Sequence, residues 1–366
     1  MPVELLAISI TKLNIDMLAS IPRTNNFDLI RLLAACQVVY MHSLNHLKID
    51  GLLLREFFDK FLQYFPGVPI FFTVSGFLIF WAFDRNQDIK KYSTNRILRL
   101  YPALYVCLFV TVFLLIFFSS FSLLTHTSFY IWLISQLTIL QFYTPELLKF
   151  WGVGTPNGAL WTITVEVQFY ILVPIIFFLM KRLKGAIVLF FLFLLSLIAN
   201  FYFAGLNENV IKKISFVSII PYLFNFLIGS SFYIFWTKLS RFIENKFIFW
   251  FTIYILYFLI FGVYLGKETH AYEMTNIFQV ITTFLLSLVT LSFAFSYKNL
   301  SNKLLKHNDI SYGIYIYHML VVNTLVAIGF LYKPIYMFAI FIVTIVLAIL
   351  SWKLIEKPAL SLKKRF

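Results

Sequence analysis

The sequence predicts an all-α polytopic integral membrane protein with ten transmembrane helices and both termini in the cytoplasm. Three observations predict it. Of 366 residues, 61 % are hydrophobic and 20 % aromatic, while only 13 % are charged. The mean hydropathy of +0.85 exceeds what a water-soluble core needs but suits a bundle facing lipid. Basic residues collect in alternate connecting segments.

Apolar runs place spans at residues 27–47, 62–83, 100–119, 159–180, 186–204, 216–236, 247–265, 275–295, 310–331 and 335–355. The stretch 129–143 is shorter and amphipathic, so it reads as an interfacial or re-entrant piece. Six connectors (1–26, 84–99, 181–185, 237–246, 296–309 and 353–366) carry 21 Lys and Arg. The five connectors between them in alternation carry 8. The positive-inside rule puts the first set in the cytoplasm, provided 129–143 does not cross. The net charge of +14 is then a topology signal whose partner is anionic membrane lipid, with no nucleic-acid role. The organisation reads as an N-terminal segment 1–26, a membrane domain 27–356 and a basic tail 357–366. The first 26 residues do not form a clear signal peptide. Cys36 and Cys107 both fall in apolar spans and suggest neither a disulfide framework nor a metal cluster.

Ionisable residues inside spans are costly, and so they mark function by default. Arg31 and His42 share the first span with ten residues between them. Eleven steps of ~100° bring both onto one helix face, about 16 Å apart along the axis. Asp28 lies three residues before Arg31, within pairing reach. Glu166 in the fourth span has a depth similar to His42 in the outer half, so a base and its orienting carboxylate could meet there. His318 lies near mid-membrane in SYGIYIYHM, a segment that reads either as a polar packing seam or as a cavity wall lined by Tyr312 and Tyr315. Arg96 and Arg99 stand three apart at the inner start of the third span. Two forked guanidiniums suit a phosphate-bearing ligand, and the bland alternative is a stop signal touching anionic lipid. Structural readings also stand for the others: a snorkelling Arg31, a plain Asp28–Arg31 pair, and hydrogen-bonded core histidines. GVGTPNG at 152–158 reads as an outer turn and cavity rim. No GxxxxGK[ST] loop supports ATP-driven transport, and no HExxH or Cys/His cluster proposes zinc.

Six blocks in order carry a family resemblance: FDLIRLLAACQVVYMH, FFTVSGFLIF, NRILRLYPALY, NGALWTITVEVQFYILVP, SYGIYIYHM and IEKPALSLKKR. The chain resembles the membrane-bound acyltransferase 3 family and looks like a stand-alone member, without the SGNH esterase-like domain that some members append. The resemblance implies a bacterial inner-membrane O-acyltransferase. The donor would be a cytoplasmic acyl-CoA, usually acetyl-CoA, with no tightly bound cofactor. The acceptor would be a hydroxyl of a surface polysaccharide, glycolipid or similar molecule outside. It also implies His42, as base or acyl carrier, with Arg31 and Glu166 as catalytic residues, and Arg96, Arg99 and Tyr101 on the donor. The competing class is a transporter or flippase that uses the buried Arg, His and Glu as a proton relay.

Overall fold

The computed structural model describes residues 21–22, 24–49, 61–271 and 274–364. Most of segment 1–26 and most of connector 48–60, whose charges enter the topology count, lie outside the described residues. Helices and turns, and no strand, make up the described residues. The chain runs α1 Phe27–His46, α2 Gly67–Asp84, α3 Ile89–Phe118, α4 Thr127–Leu137 and α5 Trp161–Arg182. It continues with α6 Gly185–Ala204, α7 Val210–Val217, α8 Leu223–Ile234, α9 Trp236–Ile243 and α10 Phe247–Tyr257. The last third is α11 Ile277–Ala294, α12 Leu300–Leu305, α13 Ser311–Ala327, α14 Pro334–Ser351 and α15 Lys357–Ser361.

Among the described residues, eight helices are long and apolar enough to cross a membrane. α8 and α13 are apolar but shorter. Together they account for the ten expected spans. The span expected at 216–236 is a helix only over Leu223–Ile234, about 18 Å long. It is buried almost throughout, so it lies inside the bundle and need not match the lipid thickness itself. α4 has 11 residues, too few to span a ~30 Å core, in keeping with the amphipathic reading of 129–143. α3, with 30 residues, is about 45 Å long, so its first turns extend beyond the hydrocarbon. Its Phe109, Phe113 and Phe117 recur every fourth residue at 61–73 % exposure, the stripe expected against lipid tails.

Which helix ends share a face follows from specific contacts. The starts of α1, α3 and α13 meet where Arg31 and Arg99 both pair with Asp309. The end of α5 joins them, because Lys181 Nζ donates to Gln87 Oε1 at 2.6 Å. At the other end, Tyr332 N–H donates to the Leu47 carbonyl at 2.8 Å, and Asn323 on α13 holds the loop that precedes α5. Asn26, 1 % exposed, fixes the entry of α1: its backbone N–H donates to Ala294 O at 2.9 Å and its side-chain oxygen accepts from Ser301 N–H at 2.9 Å.

Small residues let α2 sit against its neighbours. A Cβ on Gly76 would come within 2.0 Å of Phe226 O, and one on Gly229 within 2.1 Å of Thr73 O. Ser230 Oγ completes this crossing by donating to Gly76 O at 3.0 Å. This is the small-residue packing of membrane helices, and it explains the glycine in FFTVSGFLIF. Gln37 Oε1 accepts the Gly67 N–H at 2.8 Å, satisfying an orphan donor at the start of α2. Gly76→Val should therefore force α2 and α8 apart at a cost of about 1–3 kcal/mol. Thermal unfolding in detergent should show a lowered midpoint, with Gly229→Val giving a similar loss.

Candidate active site

A cavity of about 490 Å³ opens between the shared starts of α1, α3 and α13 and reaches inward along α2 and α5. Its mouth carries Arg31, Arg85, Arg96, Arg99, His307 and Lys363. Two acids balance the arginines. Asp28 pairs with Arg31, as the three-residue spacing suggests. Asp309 bridges Arg31, at 3.1 Å, and Arg99. Burial alone would push the Asp309 carboxyl up. The Arg31 and Arg99 charges and the Ser311 hydroxyl, at 2.5 Å, hold it well below the usual carboxylate range. Arg96 is held differently: its guanidinium carbon lies 5.9 Å from the Tyr92 ring and 5.8 Å from the Tyr170 ring. Burial, and then the Arg96, Arg99 and Arg31 charges, push the Lys363 ammonium down to about 8.

Further in, Glu166 Oε1 accepts from Ser75 Oγ and from Tyr170 Oη, both at 2.8 Å. The i,i+4 spacing of Glu166 and Tyr170 puts them on one face of α5. Thr162 and Tyr315 also line this part and share a hydrogen bond of 2.6 Å. Tyr312 and Tyr315 are thus cavity-wall residues within a buried helix, and both readings of SYGIYIYHM hold.

His42 and His318 meet beside Tyr315. His42 Nδ1 lies 2.8 Å from His318 Nε2, and His318 Nδ1 lies 2.7 Å from the Tyr315 carbonyl. The sequence expectation put Glu166 beside His42, and the structure puts His318 there instead. Equal depth is not contact: Ser75 and Tyr170 claim Glu166, while α13 packs against α1. With both rings neutral, the hydrogen-bond pattern selects one tautomer. The Tyr315 carbonyl only accepts, so His318 Nδ1 carries its proton. His318 Nε2 then accepts, so His42 Nδ1 carries the other proton. His42 Nε2 keeps its lone pair. His318 is fully buried, whereas His42 is partly exposed.

Tyr101 departs from expectation. It lies outside the first cavity, in a neighbouring cleft between α3 and α5 whose wall also includes Arg96, with its ring 5.5 Å from that of Tyr105. Two residues beyond Arg99, it points about 200° round the helix. Asp309, Ser75 and Tyr170 were missed as site residues. Ser75 and Tyr170 lie inside the motifs above; Asp309 stands two residues before one and is acidic within a lysine-rich connector.

The sequence profile of the acyltransferase domain matches residues 24–353. The chain belongs to the acyltransferase 3 family. It is an acyltransferase built from membrane-length helices. Nodulation protein 10 of Rhizobium leguminosarum bv. viciae is 32 % identical, over 93 % of this chain and 94 % of that protein. An O-acetyl transferase of Shigella phage Sf6 is 28 % identical over 93 % of this chain and 97 % of its own length. A putative peptidoglycan O-acetyltransferase of Bacillus subtilis is 28 % identical over 80 % of this chain and 50 % of that protein. No solved structure matches the chain.

Asp309 sets a testable stability threshold in this acyltransferase. Asp309→Ala leaves two shielded guanidiniums without their shared carboxylate and should cost about 3–5 kcal/mol. Asp309→Glu should recover part of it. Because folding depresses the Asp309 pKa, its contribution is complete above the ordinary carboxylate range and fades as pH falls below it. Unfolding followed between neutral pH and pH 3 should show the gap between the wild type and Asp309→Ala constant down to about pH 4 and narrowing below it without closing by pH 3.

Proposed function

We propose that this acyltransferase takes an acyl group, acetyl in the first instance, from a cytoplasmic acyl-CoA. It would deliver the group to a hydroxyl of a carbohydrate or glycolipid beyond the outer face of the bacterial inner membrane. One observation carries the reading: Arg31, in the arginine-rich mouth, and His42 stand on the same helix, about half a bilayer apart. The alternating basic connectors support a cytoplasmic mouth and cytoplasmic termini.

Arg96, Arg99 and Lys363 suit the phosphates of coenzyme A, and the apolar walls at Val68, Phe71 and Phe72 suit its arm. Arg31, tied to both Asp28 and Asp309, shapes the mouth rather than the reacting centre. The thioester then comes to the His42 end. His42 Nε2 removes the proton of the acceptor hydroxyl as its oxygen attacks the thioester carbonyl. The carbon–sulfur bond breaks, and His42 returns the proton to the departing thiolate. Products are the ester and free coenzyme A. His318 holds the His42 tautomer, and Glu166 positions Ser75 and Tyr170 along the passage.

His42→Ala should lower the acetyl-transfer rate by about 10²–10⁴-fold while the protein stays folded. Transfer of label from acetyl-CoA by protein in lipid nanodiscs measures it, and a wild-type rate in this variant would remove His42 from the chemistry. The mouth predicts a pH effect of stated sign. Lys363 loses its proton above about pH 8, and with it one positive charge facing the donor. The KM for acetyl-CoA should rise as pH passes 8, and Lys363→Arg should flatten that rise.

A further inference from the structure

The cleft that holds Tyr101 has a volume of about 630 Å³, inside the ~300–1,000 Å³ range of small-molecule sites. It lies beside the arginine-lined cavity, and the two share Arg96, Leu100 and Tyr170 as a common wall. Ile97, Tyr105, Ile171 and Ile175 line it at 43–56 % exposure on helices long enough to cross a membrane, so its open side faces lipid.

The wall joins α3 to α5 through a proline. Pro174 has no N–H for the Tyr170 carbonyl four residues earlier. Tyr92 Oη on α3 donates to that carbonyl instead, at 3.0 Å. The rings of the same two tyrosines hold the Arg96 guanidinium by cation–π contact. Among the described residues, Arg96 is the single charged member of the cleft wall. Arg31 and Arg99 are paired with Asp28 and Asp309, but Arg96 has no carboxylate partner, and its shielded Nε has no hydrogen-bond partner.

Depth narrows the ligand. α3 is about 15 Å longer than a ~30 Å hydrocarbon core, and the excess lies at its start, where Lys90 and Lys91 stand. Arg96 is about 10 Å along the helix, at the level of the lipid headgroups. Ile97, Tyr101 and Tyr105 follow over about the next 14 Å, within the acyl-chain layer. A ligand entering from the side must therefore carry a negative charge at headgroup depth and a long apolar tail beyond it. Ser93 and Tyr101 add hydroxyls to the wall, donors for phosphate oxygens. A zwitterionic headgroup would bring a second cation to an end of the helix that already carries Lys90, Lys91 and Arg99.

We propose that the cleft binds one anionic phospholipid, its phosphate on Arg96 and one acyl chain along Ile97, Tyr101, Tyr105, Ile171 and Ile175. Because Arg96 also lines the mouth, the lipid phosphate and an anion in the mouth compete for one guanidinium, and each weakens the binding of the other. The lipid site stands on its own geometry, whereas its competition with the donor rests on the acyl-CoA reading above.

The test uses the full chain in nanodiscs of equal phosphatidylcholine and phosphatidylglycerol. A trace of one lipid or the other carries a photoreactive diazirine in its acyl chain, and crosslinks are mapped along the sequence. In the wild type, residues 96–105 and 167–175 should be labelled about fivefold more by the phosphatidylglycerol probe, the preference expected of one basic contact. Arg96→Gln should bring the two probes to parity there, with labelling elsewhere on the chain unchanged as the measure of a native fold. Ile171→Trp, which fills the cleft from its lipid side and is not part of the mouth, should cut labelling of residues 96–105 by both probes. Equal labelling by the two lipids in the wild type, an excess that survives Arg96→Gln, or undiminished labelling in Ile171→Trp overturns the lipid site. Coenzyme A added to the wild type should lower the phosphatidylglycerol excess. An excess that coenzyme A leaves untouched while acetyl transfer proceeds overturns the competition. An excess with neither a coenzyme A effect nor acetyl transfer from acetyl-CoA would instead sink the donor reading and leave the lipid site standing.

Discussion

The carboxylate of Asp309 holds two guanidiniums at the edge of a low-dielectric interior, and the site depends on that three-way contact. Arg31, Arg99 and Asp309 come from the starts of α1 and α3 and the residue pair just ahead of α13. Without the acid, two partly buried cations would repel across one mouth. With it, they bind three helices into one rigid corner while their remaining donors still line the cavity. The pair of like charges can stay together at one mouth because an acid is buried between them.

From that corner, α13 carries the rest of the site outward. Its turns present Tyr312 and Tyr315 to the cavity, then His318 to His42, then Asn323 to the loop before α5. Asn323 is fully buried: it donates to Thr155 O and Pro156 O, both at 2.9 Å, and accepts from Val153 N–H at 2.9 Å. Gly152 permits this at φ +60°, where a Cβ would meet the Asn323 side chain at 2.2 Å. One buried helix therefore sets the spacing between mouth, imidazole pair and outer loop. Displacing any of the three displaces the others, because a packed helix moves as a body.

The fold was legible because its signals are local. Apolar length gave the spans, alternating Lys and Arg gave the expected sidedness, and the spacing of Arg31 and His42 gave a shared face. What depends on contact between distant segments was not legible. Depth along two helices made Glu166 and His42 look like partners, yet depth fixes only one coordinate. The azimuth of α5 turns Glu166 toward Ser75, while α13, 276 residues away from His42 in sequence, supplies His318. Tyr101 shows the same limit: family motif and proximity in sequence placed it with both arginines, and helical rotation turned it into a neighbouring cleft that it shares with Arg96 and not with Arg99. Asp309 sat in a connector, where an acid among lysines reads as ordinary solvated charge.

The replacement of a carboxylate by an imidazole beside His42 changes the chemistry the site can perform. A buried carboxylate would bring a resting negative charge into the bilayer and would need a cation to offset it. His318 orients His42 without a net charge, since one ring donates and the other accepts. The direction of that hydrogen bond is set from outside the pair, by a backbone carbonyl that cannot donate. An imidazole partner stabilises the transient imidazolium less than a carboxylate does. The cost would be tolerable for the proposed thioester donor, whose carbonyl is already activated and whose thiolate leaves readily. A neutral relay thus suits group transfer inside a membrane, where the charge need last only as long as the proton is held.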